Sequence, residues 1–240
     1  MRHLFALLAL LAPIALPAQA QPVTVFAAAS LRGALTEIAE TYQDGATLSF
    51  GGSGTLARQV AAGAPVDVVV FAHPDWIQWL AARDLILPDS LRQVAGGRLV
   101  LIGGADAAPL PAPNGATLLA ALNGGRLAIG QRDGVPAGIY AREWLQHISA
   151  WDALLPHLAE TDNVRAALAL VAQGAAPLGV VYASDAVAEA RVTVLYAIPD
   201  DTHSPIRYPA AAVTEAGRAF VALLSTPQAA AIFAKHGFAP

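Results

Sequence analysis

The sequence of 240 residues contains no cysteine, which excludes thiol nucleophiles, zinc ribbons and iron–sulfur clusters. Charged residues make up only 13% of the chain, and the formal net charge is −4. Nucleic-acid binding is therefore not expected, because such a chain would release few phosphate counterions. Hydrophobic residues make up 55%, with 17 Pro and 20 Gly scattered among them. This composition predicts a globular protein whose core needs no disulfide bonds.

The first 20 residues have the pattern of a secretory signal peptide. A short basic start is followed by an apolar run over residues 4–16 and by the small-residue motif Ala18-Gln19-Ala20. The run is shorter than the roughly 20 residues that a membrane span needs, and two prolines interrupt it. The pattern predicts export to the periplasm with cleavage after Ala20, and the absence of cysteine excludes a lipid anchor.

Beyond residue 20, short β-rich runs alternate with helical patterns. Residues 23–27 (VTVFA) read as a strand, and Ser30 then opens a helical apolar pattern. Residues 66–71 (VDVVVF) are almost continuously apolar, as expected of a strand covered on both faces. The alternation predicts an α/β fold with parallel-type sheets flanked by helices.

Four of the predicted strand-to-helix turns present small residues where a helix begins, namely residues 29–31, 52–55, 135–138 and 162–164. A helix N-terminus offers unpaired N–H groups and a partial positive charge, so it can bind an anion. Ser and Asn are also common N-caps at any helix start. Each turn taken singly leaves both interpretations open.

The charges around these turns restrict the kind of anion. None of the four turns contains Lys, and the nearest arginines are predicted to lie inside the helices and point away from their first turns; they are Arg32, Arg58, Arg142 and Arg165. If the turns converge, their site would bind an anion with neutral dipoles only. Such a site favours a fully ionised ligand, because a protonated phosphate would need an acidic acceptor.

Several blocks together resemble the periplasmic molybdate-binding proteins of ABC transporters. The resemblance covers nearly all of the chain after residue 20. It is carried by VTVFAAASL (23–31), GTLARQVAAGAPVDVVVFA (54–72), GGRLAIG (124–130), VPAGIYAREWLQ (135–146), VRAALALVAQGAAPLGVVYASDA (164–186) and PQAAAIFAKHGF (227–238). It implies a two-lobed type II periplasmic-binding fold with a ligand cleft between the lobes.

The resemblance also implies the ligand-binding residues. Ser30 and Ser53 would donate from hydroxyl and backbone groups, Ala137 and Val164 from backbone N–H groups, and Tyr182 from its phenol. The ligand would be molybdate or tungstate, with molybdenum present only as the bound oxyanion and with no cofactor. Two positions depart from the family pattern: the 51–54 loop is Gly-Gly-Ser-Gly, which we expect to be more flexible, and Asn163 stands where Asp is common.

The implied organisation places residues 21–101 and 210–240 in lobe 1 and residues 102–209 in lobe 2. Crossover strands near Val100 and Ala210 would act as the hinge. The expected protein is a monomeric, non-catalytic receptor that delivers its ligand to an inner-membrane ABC permease with a cytoplasmic ATPase.

Three other interpretations were compared with this one. The protein could instead be a receptor for sulfate or another tetrahedral oxyanion, because residue types do not reveal the size of the pocket. A hydrolase is disfavoured, since the residues around Ser53 lack the last glycine of a Gly-x-Ser-x-Gly elbow. A metal site at His73 and Asp75 is disfavoured too, because Asp75 is expected to cap the helix that follows.

Overall fold

The computed structural model describes residues 21–240. The predicted signal peptide, residues 1–20, lies outside the described residues. The chain forms two five-stranded sheets, each covered by helices. We call the unit built on the first sheet the first lobe and the unit built on the second sheet the second lobe.

The first sheet has the strand order β2-β1-β3-β10-β4. Its strands are β1 (Val23–Ala28), β2 (Ala46–Gly51), β3 (Val68–Val70), β4 (Arg92–Gly96) and β10 (Arg207–Ala212). Strand β1 runs parallel to β2 and β3, whereas β10 runs antiparallel to β3 and β4. All residues of β3 are buried, as its unbroken valine run predicts.

The second sheet repeats this arrangement with the order β7-β6-β8-β5-β9. Its strands are β5 (Leu99–Gly104), β6 (Leu127–Gly130), β7 (Leu158–Thr161), β8 (Leu178–Tyr182) and β9 (Val192–Ala197). Strand β6 is parallel to β7 and β8, whereas β5 is antiparallel to β8 and β9. The α/β prediction is confirmed, with the correction that both sheets are mixed rather than wholly parallel.

Helices connect the strands and cover the sheets. They are α1 (Arg32–Ala39), α2 (Ser53–Ala61), α3 (Pro74–Ala81), α4 (Gly115–Leu122), α5 (Pro136–His147), α6 (Trp151–Leu154), α7 (Val164–Ala172), α8 (Ala183–Val187), α9 (Arg218–Leu224) and α10 (Pro227–Lys235). No helix among residues 21–240 has the length and apolar character needed to span a bilayer.

The chain passes between the sheets twice, through residues 97–98 and through residues 198–206. These crossings correct the predicted lobe boundaries. Residues 99–101 pair in the second sheet and residues 207–209 in the first, so Val100 and Ala210 lie inside sheets rather than at a hinge. A buried apolar strand has the same sequence pattern on either side of a crossing, so the pattern could not locate the boundary.

Candidate functional site

A small cavity lies between the lobes, where four helical segments begin. It is lined by Ala28, Ala29, Ser30, Gly51, Gly52, Ser53 and Ala72 of the first lobe and by Val135, Pro136, Ala137, Asn163, Val164 and Tyr182 of the second. All five residues predicted to bind the ligand are among them. The cavity volume, measured as the space open to the centre of a water-sized sphere, is about 10 Å³, far below the roughly 300–1,000 Å³ of typical sites for organic molecules. The cavity therefore suits a small ion.

The first lobe contributes two helix starts without a side-chain cap. Ser30 lies in the 3₁₀ turn Ala29–Leu31 that follows β1, and Ser53 is the first residue of α2. In the part of the chain that the structure describes, no side chain caps the first turn of either segment. The N–H groups of these first turns have no partner within their own helix, so they are available to an anion in the cavity.

Each of the two serine hydroxyls accepts a hydrogen bond from the protein, which leaves its own proton available to a ligand in the cavity. The Ala72 N–H donates to Ser53 Oγ at 3.1 Å, so that oxygen acts as an acceptor toward the protein. Ser30 Oγ lies 3.2 Å from the Tyr208 hydroxyl. Burial raises the pKa of Tyr208 well above its ordinary value, which keeps its phenol protonated and able to donate. Both serines can then donate their own protons to a bound anion.

The second lobe contributes the starts of α5 and α7. Pro136 is the first residue of α5 and has no N–H, so the Ala137 N–H is the first donor of that helix. Asn163 caps α7 by accepting from the Ala166 N–H at 3.1 Å, which leaves the Val164 N–H without a side-chain acceptor. Ala137 and Val164 are 1% and 4% exposed, so both residues are buried at the edge of the cavity.

Tyr182 ends β8 and borders the cavity with a buried hydroxyl that has no hydrogen-bond partner within residues 21–240. Burial raises its pKa well above the ordinary value, so the phenol is a neutral donor. A buried polar group without a partner is costly and uncommon in folded proteins. An anion in the cavity would supply the missing acceptor.

Among residues 21–240, no charged residue lines the cavity, but one arginine lies directly behind it. Arg32, Arg58 and Arg142 do point away, toward Phe50, Trp76 and Asp133. The prediction for Arg165 was wrong. Its guanidinium forms an ion pair with Asp185, with Nε 2.6 Å from Oδ1, and its Nη2 donates to the Ser30 carbonyl at 3.4 Å. A position inside a helix did not fix the direction of so long a side chain.

Asp185 is a further polar residue of this region that the sequence reasoning missed. It is fully buried in α8 and accepts from the Tyr182 N–H at 3.2 Å. Burial raises its pKa to about 6, with Arg165 opposing the shift. An acid three residues after the end of a strand is the pattern of a capping acid, and that signal could have found it.

The residue that caps α3 also differs from the expectation. His73, and not Asp75, is the N-cap of α3, since its Nδ1 accepts from the Asp75 N–H at 3.2 Å. Within residues 21–240, no three metal-ligating side chains cluster together.

Two glycines beside Ser53 allow the lobes to touch. A Cβ atom on Gly52 would lie 2.4 Å from the Asp162 carbonyl oxygen, and one on Gly54 would lie 2.4 Å from the Gly134 carbonyl oxygen. Both oxygens belong to the second lobe. The Gly-Gly-Ser-Gly sequence therefore has a steric role, because any larger residue would hold the lobes apart.

Two lobes joined by two crossings, with a small cavity of hydrogen-bond donors between them, are the features of a solute-binding protein. Comparison with known proteins agrees with this class. Residues 23–239 match the family described as "Bacterial extracellular solute-binding protein", and the chain belongs to that family.

Two relatives show the likeness in sequence. The chain is 41% identical over 226 residues to the molybdate-binding protein ModA of Escherichia coli (strain K12), covering 90% of this chain and 88% of that protein. It is 36% identical to the ModA of Haemophilus influenzae, covering 90% and 89%.

Two solved structures show the likeness in fold. The periplasmic molybdate-binding protein of Azotobacter vinelandii superposes with a TM-score of 0.79 at 24% identity, covering 91% of this chain and 99% of that one. The sulfate-binding protein SubI of Mycobacterium tuberculosis superposes with a TM-score of 0.70 at 18% identity, covering 92% and 87%. Solved structures of this fold thus include proteins named for different oxyanions.

Proposed function

We propose that this protein is an exported receptor that encloses molybdate or tungstate between its lobes and delivers it to an inner-membrane ABC permease with a cytoplasmic ATPase. The observation that carries the proposal is the buried Tyr182 hydroxyl, which borders the donor-lined cavity and which, within the described part of the chain, has no hydrogen-bond partner and no charged group beside it in the cavity lining. The bound oxyanion is the ligand itself, and no cofactor is needed.

The donor set supports a fully ionised tetrahedral anion. Hydroxyls of Ser30, Ser53 and Tyr182 and backbone N–H groups of Ala137 and Val164 can each donate to an oxyanion oxygen. No carboxylate of residues 21–240 lines the cavity, so a proton on the ligand would face donors only. Phosphate monoanions and dianions carry such a proton near neutral pH and would lose a hydrogen bond there. Molybdate, tungstate and sulfate would lose none.

The position of the donors supports capture by closure. Ser30 and Ser53 belong to the first lobe, and Ala137, Val164 and Tyr182 belong to the second. An anion that contacts both sets binds the closed arrangement more tightly than an open one. It therefore shifts the population toward the closed state, which is the form we expect the permease to accept.

The choice of molybdate over sulfate is supported by the relatives named as molybdate-binding proteins. Molybdate, tungstate and sulfate share charge and shape, so the size of the closed cavity must distinguish sulfate from the other two anions. A hydrolase receives no support, because within residues 21–240 neither the Ser30 nor the Ser53 hydroxyl hydrogen-bonds to a His or a carboxylate.

Isothermal titration tests this proposal. Protein stripped of ligand by unfolding and refolding is titrated with molybdate, tungstate, sulfate and phosphate in turn. We expect one-to-one binding of molybdate and tungstate, with sulfate weaker by at least about 100-fold and phosphate undetectable. Tight sulfate binding would identify a sulfate receptor instead, and binding of none of the four anions would contradict the proposal.

A further inference from the structure

Two donors of the second lobe reach backbone carbonyls of the first lobe without lining the cavity. Arg165 Nη2 donates to the Ser30 carbonyl at 3.4 Å, and the Tyr140 hydroxyl donates to the Ala72 carbonyl at 3.3 Å. Both carbonyls belong to residues that line the cavity. These two hydrogen bonds therefore connect the second lobe to the first-lobe segments that line the cavity, without entering the cavity.

The Arg165 contact is coupled to a ligand donor of the second lobe. The buried carboxylate of Asp185 pairs with the guanidinium and also accepts from the Tyr182 N–H. The ion pair fixes the Arg165 guanidinium beside the cleft. The Asp185 carboxylate also largely offsets the guanidinium charge, so the groups that donate into the cavity remain neutral. Asp185 thereby links Arg165, which hydrogen-bonds to the first lobe, to the backbone of Tyr182, which lines the cavity.

The Tyr140 contact is coupled to a ligand donor of the first lobe. Tyr140 is fully buried and stacks on His73 of the first lobe, with ring centroids 5.1 Å apart. Burial raises the pKa of Tyr140 well above its ordinary value, so its phenol donates. Ala72, whose carbonyl accepts this hydrogen bond, also donates its N–H to Ser53 Oγ.

We propose that Arg165 and Tyr140 form a closure clamp that sets the rate of ligand release without touching the ligand. The clamp deepens the proposed receptor function and rests on it. Opening the lobes breaks both hydrogen bonds, whereas an anion entering an open cleft meets neither. Loss of the clamp should therefore raise the dissociation rate and leave the association rate nearly unchanged.

Stopped-flow kinetics of molybdate binding test the clamp with Arg165→Met, Tyr140→Phe and the double variant. We expect each single change to raise the dissociation rate about tenfold, with association rates within about twofold of wild type. The matched controls are Arg126→Met, which removes guanidinium bonds to Pro156 and Leu158 within the second lobe, and Tyr196→Phe in β9. Equal dissociation rates in clamp variants and controls would overturn the clamp.

A distance measurement separates failure of the clamp from failure of the receptor proposal. The chain lacks cysteine, so Gln78→Cys and Gln146→Cys, both exposed and on different lobes, permit spin labelling for pulsed electron resonance. We expect the clamp variants to shift the interlobe distances toward an open state, with and without molybdate, while the controls do not. If wild-type protein binds no oxyanion, the receptor proposal fails, and the ligand-free distances still decide the clamp. Identical distributions in variants and controls would overturn it.

Discussion

Replacing Ser30 with Ala and Tyr182 with Phe together should lower the affinity for molybdate by at least about 100-fold while both lobes stay folded. Each change removes one hydroxyl donor, and a hydrogen bond to a charged partner contributes about 1.5–3 kcal/mol. Two such losses correspond to a fall of about 10²–10⁴ in affinity. Removing the Tyr182 hydroxyl breaks no hydrogen bond within residues 21–240, whereas removing that of Ser30 leaves Tyr208 without its partner.

Titration calorimetry measures the affinity of this double variant, and thermal unfolding reports its fold. The matched control is Ser225→Ala with Tyr196→Phe, which removes the same two chemical groups away from the cleft. We expect the control to bind as wild type does. A Ser30/Tyr182 variant that unfolds normally and binds molybdate with unchanged affinity would show that the site is assigned to the wrong residues.

Replacing Gly52 with Ala should weaken molybdate binding by at least about tenfold by preventing full closure. The backbone of Gly52 (φ −69°, ψ 131°) is allowed for any residue, so alanine should not strain the first lobe. The added Cβ would instead meet the Asp162 carbonyl at 2.4 Å. That contact exists only when the lobes are together, so the variant favours the open state.

Small-angle X-ray scattering in saturating molybdate, together with calorimetry, measures this effect. We expect Gly52→Ala to keep a larger radius of gyration than wild type. Gly104→Ala is the matched control, because a Cβ there meets no atom within 4 Å. If Gly52→Ala closes and binds as the control does, the steric role of this glycine is wrong.

Much of the architecture was predictable because it depends on local pattern. Alternating β-rich runs and helical periodicity indicate an α/β fold from sequence alone, and small residues followed by an apolar helix mark each helix start. The structure brings Ser30, Ser53, Ala137, Val164 and Tyr182 to one cavity, as the family resemblance implies. Their role as ligand-binding residues stays a prediction.

The features that sequence reasoning missed depend on contacts between distant segments. Strand β4 has charged and small residues, RQVAG, and forms at a sheet edge only because β10 pairs with it. Arg165 reaches a residue 135 positions away in the chain, and no helical pattern predicts that contact. The glycines of the 51–54 loop likewise have their steric role because the second lobe packs against them. The loop sequence by itself indicates only a flexible backbone.

The most direct test is a crystal structure of the protein with molybdate, with diffraction data collected at an X-ray energy where molybdenum scatters anomalously. We predict one strong anomalous peak in the cavity, with oxyanion oxygens within hydrogen-bond distance of the hydroxyls of Ser30, Ser53 and Tyr182 and the N–H groups of Ala137 and Val164. An anomalous peak elsewhere, or an oxyanion in the cavity held by other residues, would contradict this prediction.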